Sequence, residues 1–296
     1  MTQYLSANIS NGKVELIEKE LPISNESTFI LKVKYTTICR ADIKVLTSGG
    51  KTHFGHEVTG VYQGKNVSID TSLKCSKTTG FAEYVIVDSE NCFFEYQDID
   101  PKKAALAEPF ACVVKSYNHI ENKGKTAILG AGSAGLIFGM LAPDNLIFNR
   151  GERRLEFAKT LFPNSVYSLN DYEKFKGTFD VAIIATSIVN QELLNIAYEL
   201  IKKSGTIHLY GGTLPGDSYL GVDINNIRVN GLSQQIDDIT ISGIKGPDFK
   251  KAFELINDYP LEKIISKEIT LQEFPEIINE MASGRLDFPG KVLIRF

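Results

Sequence analysis

The chain has 296 residues, a formal net charge of −4 and a hydrophobic fraction of 43%. This length is enough for two hydrophobic cores, and the charge balance does not suggest a nucleic acid or membrane surface as a partner. No apolar run is long enough to span a bilayer, and the first residues lack the basic start and apolar run of a secretory signal. We therefore expect a two-domain protein without nucleic-acid or membrane partners.

The cysteines indicate a reduced, cytoplasmic compartment. The chain has four of them, and they lie far apart without any Cys-x-x-Cys pair: Cys39, Cys75, Cys92 and Cys112. In the absence of an export signal, such cysteines are expected to be buried thiols or metal ligands.

The first part of the chain, residues 1–117, has the pattern of an irregular β-rich domain. Short β-forming segments alternate with glycine turns, and the candidate strands are residues 29–34, 58–62 and 81–87. A helix is then predicted to begin at Pro101, with Asp100 as its cap. Pro109 is predicted to end this helix directly after Glu108.

In the second part, residues 118–253, apolar runs of strand length alternate with helical patterns. The runs are residues 126–129, 146–148, 181–185, 206–210 and 239–241. Leu194, Ala197 and Ile201 fall on one face of a predicted helix. Near-continuous apolar strands separated by helices are typical of a parallel sheet covered on both faces.

The last part of the chain combines two amphipathic helices with a final strand. The first helical stripe comprises Phe249, Ala252, Phe253 and Ile256; the second, behind a Thr270/Glu273 capping box, comprises Phe274, Ile277, Ile278 and Met281. The chain closes on KVLIRF, which has the composition of a strand. A lone strand needs a sheet to join, so we place residues 254–296 with the first domain and treat the second domain as an insertion.

A glycine-rich turn marks a candidate dinucleotide site. Gly130, Gly132 and Gly135 form G-x-G-x-x-G between a predicted strand and a predicted helix. The three glycines permit a tight turn, close approach of a pyrophosphate, and close helix–strand packing, and the helix N-terminus attracts phosphate. The residues expected to line the dinucleotide here are Gly130, Gly132, Ser133, Ala134, Gly135 and Thr186.

The residues after the next strand favour NADP over NAD. An NAD site usually has an acidic residue about 20 positions after the first glycine, where it accepts from the ribose hydroxyl. Asn149 stands there instead and carries no charge that would repel a 2′-phosphate. Arg150 follows at once and Arg153 and Arg154 lie close behind, and a guanidinium fork suits a phosphate. The alternative is that these arginines only form a solvated helix start.

Three further residues form a candidate zinc site. Cys39, His56 and Glu108 together offer the sulfur, nitrogen and oxygen ligands that zinc takes, and three protein ligands leave a fourth position open. Each of them alone has an ordinary structural explanation: a buried thiol, a hydrogen-bonded histidine and a helix end.

With these motifs in order, the chain resembles the medium-chain dehydrogenase/reductases, in particular the zinc-dependent alcohol and polyol dehydrogenases. The matching pieces are Cys-x-x-Asp at 39, GHExxG at 55, GFAEYVIV at 80, Glu-Pro at 108 and GAGSAG at 130. The resemblance implies an α/β protein: a GroES-like β-rich catalytic domain (1–117 and 254–296) plus a Rossmann nucleotide domain with a doubly wound parallel sheet (118–253).

The resemblance also implies roles for single residues. Cys39, His56 and Glu108 would hold a catalytic zinc, and Glu57 would be an exchangeable fourth ligand or a neighbour of the ligands. A Glu-Pro pair at 108 resembles the polyol branch. Lys245, in the SGIKG loop, is expected either to hold a substrate oxygen or phosphate or to be an ordinary solvated lysine.

Two departures from the family pattern matter. The usual structural-zinc lobe has four closely spaced cysteines, whereas the corresponding stretch here, DTSLKCSKTTG, holds only Cys75. We therefore expect one catalytic zinc and no structural zinc. Ala41 stands where many relatives have a Ser or Thr that relays the substrate proton, and alanine cannot relay it. The Cys39 loop is similar to that of bacterial ribulose-5-phosphate reductases.

The function implied is a zinc-dependent, NADP(H)-preferring oxidoreductase that interconverts a polyol, free or phosphorylated, and its ketose by hydride transfer. We expect a homodimer or homotetramer acting on a small-molecule substrate. Two alternatives stay open: a zinc-free NADPH reductase of the quinone-reductase type, and a non-catalytic NADP-binding protein on the same scaffold.

Overall fold

The computed structural model describes residues 2–23, 28–48, 54–70 and 76–296. The chain forms two compact units. Unit 1 combines Met1–Pro109 with Phe249–Phe296, and unit 2 is Phe110–Asp248. Unit 2 is thus inserted into unit 1, with boundaries at 109/110 and 248/249 where the sequence suggested 117/118 and 253/254.

Unit 1 is β-rich in its described residues. Its strands are β1 (Gln3–Ser10), β2 (Lys13–Glu20), β3 (Phe29–Ile38), β4 (Val58–Tyr62), β5 (Lys65–Ile69), β6 (Tyr84–Val87), β7 (Phe93–Glu95), β17 (Ile265–Thr270) and β18 (Lys291–Arg295). Its helices are α1 (Arg40–Ser48), α2 (Pro101–Ala104), α8 (Phe249–Leu255) and α9 (Phe274–Ala282).

One sheet of unit 1 combines strands that come before unit 2 in the sequence with strands that come after it. Its order is β17-β18-β3-β4-β5-β7, with β6 also paired to β3, and β1 and β2 form a separate hairpin. The closing strand β18 runs antiparallel to β3 and so lies in the same sheet as strands from the first part of the chain. The fully buried rings of Phe81 and Phe274 stack with centroids 4.3 Å apart and belong to one hydrophobic core, which ties helix α9 to that core.

Unit 2 is built from alternating strands and helices. Its strands are β8 (Thr126–Leu129), β9 (Asn145–Asn149), β10 (Val166–Ser168), β11 (Phe179–Ile184), β12 (Ile201–Leu209), β13 (Ser218–Tyr219), β14 (Val222–Asp223), β15 (Ser233–Ile236) and β16 (Ile239–Gly243). Its helices are α4 (Ser133–Leu141), α5 (Glu152–Leu161), α6 (Gln191–Leu200) and α7 (Ile224–Asn230); α3 (Ala107–Asn118) leads into the unit.

The main sheet of unit 2 is doubly wound. Its order is β10-β9-β8-β11-β12-β16-β15, and every pair is parallel except β15 with β16. The strand order reverses between β8 and β11, and ligands of such sheets bind outside the carboxyl ends of the strands at that point. The glycine-rich turn follows β8, so it lies at the reversal.

Several local predictions are corrected by the structure. Pro109 does not end a helix: α2 stops at Ala104, and Pro109 lies in the first turn of α3, where a missing N–H costs nothing because that group has no helical partner. Ile201 is not on the helical face with Leu194, because α6 ends at Leu200 and Ile201 opens β12. Cys92 is buried and disulfide-bonded, so the expected free thiol is wrong there.

At the start of α9, the predicted capping box is present only in part. The Glu273 carboxylate accepts from both the backbone N–H (2.7 Å) and the hydroxyl (2.9 Å) of Thr270. The hydroxyl therefore donates to the glutamate instead of capping the helix, which begins at Phe274.

No helix among the described residues has the length and apolarity needed to cross a bilayer.

Unit 2 contains a fully buried histidine on β12. The two ring nitrogens of His208 lie 2.6 Å from Ser116 Oγ and 2.8 Å from Ser242 Oγ. A neutral imidazole has one donor and one acceptor, and hydroxyls can serve either role. Burial, with the nearby His119 and Arg228, lowers the pKa of His208 to about 3. The ring is therefore neutral at physiological pH and joins α3, β12 and β16.

Candidate active site

The candidate metal site lies in unit 1, where two loops that follow or precede strands of the large sheet meet. Cys39 directly follows β3, and His56 and Glu57 directly precede β4. Each of the three offers a ligand atom, and these atoms all lie within 4.8 Å of one another. Cys39 and His56 are half-buried and Glu57 is buried. Thiolate sulfur, imidazole nitrogen and carboxylate oxygen are a donor set that fits zinc.

Asp42 holds the two loops in this arrangement. It is buried, and its carboxylate accepts from the backbone N–H of Cys39 (2.7 Å) and of Gly55 (2.8 Å). Its Oδ1 also lies 3.6 Å from Nδ1 of His56. A carboxylate on one ring nitrogen is the usual way to orient a metal-binding histidine, so Nε2 is the nitrogen that would hold a metal. The sequence analysis quoted Asp42 within its motif but gave it no role.

The electrostatics around His56 suit a cation. Burial alone lowers the pKa of this ring, but the Asp42 carboxylate and the Cys39 sulfur outweigh burial and raise the pKa well above its ordinary value. The same negative surroundings would attract a metal ion to the site.

The carboxylate of Glu57 accepts hydrogen bonds from two other side chains. Lys291 Nζ donates to both of its carboxylate oxygens, and the hydroxyl of Thr37 donates to Oε2. All three residues are buried. Of the two expectations for Glu57, these contacts favour a neighbour of the ligands over a ligand. Lys291 and Thr37 were not identified from the sequence.

Glu108 lies in the first turn of α3 and is half-buried. It is not part of the group whose ligand atoms lie within 4.8 Å. It is nevertheless close enough to Lys291 to raise the pKa of that ammonium, together with Glu57 and Cys39. All four of these residues are in unit 1.

Two other residues of this region were singled out from the sequence, and the structure describes one of them. Ala41 is exposed in the first turn of α1 and has no group that could carry a proton. Of the stretch predicted to lack a structural-zinc lobe, Cys75 lies outside the described residues.

The candidate dinucleotide site lies at the reversal point of the sheet in unit 2. Gly130 has φ +116°, and a Cβ added at Gly135 would stand 1.8 Å from the carbonyl oxygen of Gly130. Both positions therefore require glycine. A Cβ at Gly132 would meet only Arg154 Nη1, at 4.0 Å, and no side chain caps the N-terminus of α4. This leaves backbone N–H groups for an anion such as pyrophosphate.

The other predicted cofactor residues surround this turn. Ser133 and Ala134 form the first turn of α4, and the methyl carbon of Thr186 would lie 3.1 Å from a Cβ at Gly130. The side chain of Asn149 accepts from the N–H of Ala131 (3.2 Å) and donates to the carbonyl of Gly151 (3.0 Å). Asn149 thereby ties the end of β9 to the glycine turn.

Arg150 forms an exposed ion pair with Glu192. The Glu192 side chain is 60% exposed and that of Arg150 is 55% exposed. Such a pair is held weakly, so a phosphate could replace the glutamate as the partner of this guanidinium.

Lys245 is exposed in the loop after β16. The next residue, Gly246, has φ +87°, and a Cβ there would lie 3.6 Å from Nζ of Lys115 on α3. Two lysines therefore flank one glycine, Lys245 along the chain and Lys115 in space. Lys115 was not singled out from the sequence, because it lies in a helix whose other residues are mostly apolar.

No protein-family model matches the chain. It is 24% identical to the L-threonine 3-dehydrogenase of Bacillus subtilis (strain 168), over 94% of both chains. A protein from Sinorhizobium meliloti 1021, named as a zinc-binding dehydrogenase and solved with NADP, superposes with a TM-score of 0.78 at 19% identity, over 99% of each chain. Galactitol-1-phosphate dehydrogenase from Escherichia coli superposes with a TM-score of 0.76 at 17% identity, over the full length of both chains.

These comparisons confirm the resemblance to the medium-chain dehydrogenase/reductases and the expected pair of folds, a GroES-like β-rich unit and a Rossmann unit. The similarity extends over almost the whole chain in each case. The motifs that carry the resemblance thus lie in the fold in which they were expected.

Proposed function

We propose that the chain is a zinc-dependent, NADP(H)-preferring dehydrogenase that interconverts a polyol and its ketose. The observation that carries the proposal is the convergence of Cys39 and His56 at one point, with Asp42 orienting the histidine. The glycine turn at the sheet reversal supports a dinucleotide cofactor. The similar proteins are named as dehydrogenases, and one of them was solved with NADP.

In this proposal, Cys39, His56 and Glu108 hold the zinc, which would supply Lewis acidity toward the substrate oxygen while the nicotinamide supplies or accepts a hydride. Asp42 fixes the ring of His56 so that one nitrogen faces the metal. The N-terminus of α4 binds the pyrophosphate through its backbone N–H groups. Ala41 holds no proton, so the substrate proton would leave by water or by another group.

A substrate panel tests this function. Ketoses, ketose phosphates and simple ketones would each be offered with NADPH, and their alcohols with NADP⁺, while absorbance of the reduced nicotinamide is followed. We expect turnover with at least one polyol–ketose pair. Turnover of quinones or enones alone would favour the zinc-free reductase, and NADPH binding without any turnover would favour a non-catalytic protein.

We propose further that the substrate is phosphorylated, as in a ribulose-5-phosphate reductase. A phosphate monoester carries about −1.5 to −2 charges at neutral pH and needs a cation in its site. Lys245 and Lys115 beside Gly246 offer two. One protein of similar structure is named as a dehydrogenase of galactitol 1-phosphate. In the panel, a free ketose reduced as well as its phosphate would contradict this part of the proposal.

We expect the protein to form a homodimer or homotetramer. Strand β15 ends the sheet of unit 2 and its first three side chains are exposed, and an open edge strand can pair with a second chain. Light scattering of the purified protein would give the number of chains, and a monomer would contradict the expectation.

The preference for NADP is tested at Arg150. Replacing it with alanine should weaken NADPH binding by about tenfold, the low end for a hydrogen bond to a charged group, because the side chain is exposed. Binding of NADH should change little, since NADH lacks the 2′-phosphate. Fluorescence titration with both cofactors measures the ratio of their dissociation constants.

Arg153→Ala is the matched control, because Arg153 is an exposed arginine in the first turn of α5, three residues after Arg150, and the proposal does not place it at the phosphate. It should leave the NADPH/NADH ratio unchanged. Equal weakening of both cofactors by Arg150→Ala would mean that this residue supports the structure and not the 2′-phosphate.

A further inference from the structure

Arg228 is a half-buried cation of unit 2 without a carboxylate partner among the described residues. It lies in the last turn of α7, and its Nε–H donates to the backbone carbonyl of Tyr210, directly after β12, at 3.0 Å. A guanidinium has five N–H donors, and this hydrogen bond engages one of them. The others remain for a ligand.

The protein does not compensate the burial of this charge. Burial lowers the pKa of Arg228, and the groups that raise it are the phenol of Tyr210 and the thiol of Cys112. Both groups are ordinarily neutral at pH 7, so neither supplies a negative charge. A buried charge is costly unless it is paired. An anionic ligand would supply the missing partner.

A second half-buried cation, Lys115, lies close to Arg228. Cys112 is near enough to Arg228 to affect its pKa, and it precedes Lys115 by three positions on α3. Residues three apart share one face of a helix. A Cβ at Gly246 would lie 3.6 Å from Nζ of Lys115, and a Cβ at Gly243 would lie 3.2 Å from Cα of Arg228. The two cations therefore flank the end of β16 and the loop after it.

Lys245 adds a third cation in that same loop, where its side chain is exposed. None of the three cations forms an ion pair within the part of the chain that the structure describes. By contrast, three other arginines each pair with a carboxylate: Arg40, Arg150 and Arg285. In a chain of net charge −4, this cluster leaves its positive charge for a ligand.

The cluster lies apart from the groups proposed to hold the phosphates of the cofactor. The glycine turn follows β8 and Arg150 follows β9, whereas the cluster lies where β12 and β16 end. In the sheet, β8 and β16 are three strands apart, which is about 14 Å. The two halves of a dinucleotide spread to the two sides of the strand reversal. With the adenosine half beside β9, the cluster lies on the side of the nicotinamide half, where hydride transfer takes place.

Resting on the proposed function, we propose that Arg228 is the specificity-determining residue for a phosphorylated substrate: together with Lys115 and Lys245 it binds the phosphate of a ketose phosphate. A guanidinium can donate two parallel hydrogen bonds to phosphate oxygens. The two ammonium groups balance the remaining charge of a phosphate monoester, which carries about −1.5 to −2 at neutral pH. A free ketose gains nothing from this site.

The kinetic test is Arg228→Gln, which removes the charge and keeps an amide donor. D-ribulose 5-phosphate and D-ribulose form a substrate pair that differs only in the phosphate. We expect kcat/KM for D-ribulose 5-phosphate to fall about tenfold or more, the low end for loss of a hydrogen bond to a charged group. The value for D-ribulose and the affinity for NADPH should not change.

A binding test does not depend on turnover. Inorganic phosphate is titrated calorimetrically into the zinc-loaded protein saturated with NADPH, because the phosphates of NADPH then occupy the glycine turn and Arg150. Phosphate should bind the wild-type protein, and Arg228→Gln should weaken this binding about tenfold or more. A phosphate bound to the zinc instead would be insensitive to the substitution.

Three further variants serve as controls. Arg228→Lys keeps the charge but not the fork, and should lose only part of the phosphate affinity. Lys159→Gln should bind phosphate as the wild type does, because Lys159 is likewise a cation in the last turn of a helix of unit 2, but lies in α5. Lys115→Gln should weaken phosphate binding too, and it tests the site where the Arg228→Gln protein fails to fold.

The outcomes separate the inference from the function on which it rests. Unchanged phosphate affinity in Arg228→Gln and Lys115→Gln overturns the inference, as does an equal loss of kcat/KM for D-ribulose and its phosphate. An NADPH affinity that falls in step with the phosphate affinity overturns it as well, because the cation would then serve the cofactor. Phosphate binding that depends on Arg228, in a protein that turns over no polyol–ketose pair, supports the anion site and contradicts the proposed function.

Discussion

Cys39→Ala should abolish turnover and lower zinc content far below one ion per chain, while NADPH binding persists. Cys39 offers the only thiolate of the ligand group found among the described residues, and alanine offers no ligand. Loss of a neighbour of a metal ligand already costs about 10- to 100-fold, so loss of a ligand should cost more than 100-fold in kcat/KM. The candidate nucleotide site lies in unit 2 and should be unaffected.

Steady-state kinetics, metal analysis and circular dichroism on one preparation measure this result. The control is Cys112→Ala, because Cys112 is the other half-buried cysteine of the described residues that forms no disulfide, and it belongs to unit 2. It should retain both zinc and turnover. Normal turnover by the Cys39→Ala protein would contradict the proposed role of zinc in the reaction.

The second large effect is expected at His208, whose replacement should change how the stability of the protein depends on pH. The pKa of His208 is lowered from 6.5 to about 3 in the folded chain, so below pH 6.5 the unfolded state binds a proton that the folded state does not. Stability from this residue is therefore fully present above pH 6.5 and is lost as the pH falls toward 3. Each pH unit in that window is worth about 1.4 kcal/mol.

His208→Gln should remove this dependence. Between pH 7.5 and pH 5, the wild-type free energy of unfolding should fall by about 2 kcal/mol more than that of the variant, as measured by urea unfolding with circular dichroism. All other titrating groups are common to both proteins and cancel in the difference. Ser242→Ala keeps the histidine, and should lower stability but leave the pH dependence in place. Parallel curves for wild type and His208→Gln would show that His208 is not held neutral.

The parts of the fold that could be predicted are those with local signals. Strand β8, the glycine turn and α4 carry their apolar run and glycines in sequence, and the closing strand could be assigned because a lone strand needs partners. Strand β15, with the sequence SQQI, was missed because an exposed edge strand has no apolar pattern. The role of Pro109 was predicted wrongly, because a proline can either end one helix or occupy the first turn of the next. Only the packing of the folded chain decides between these two positions.

In the candidate active site, the predictable residues were likewise those that belong to short sequence motifs. Cys39 and His56 belong to motifs with recognisable neighbours, and the structure brings them together. Lys291 could not be found, because it is 234 residues from its partner Glu57 and resembles the ordinary charged start of a strand. Its position follows from β18 lying beside β3, which is a property of the whole sheet and not of any short stretch.

The most direct test of the account is a zinc titration of the metal-free protein, with NADPH-dependent ketose reduction as the readout. The account predicts no turnover without metal, a linear rise to about one zinc per chain, as a catalytic three-ligand site implies, and no further rise beyond it. Full turnover in the metal-free protein, or a requirement for a second zinc, would contradict it.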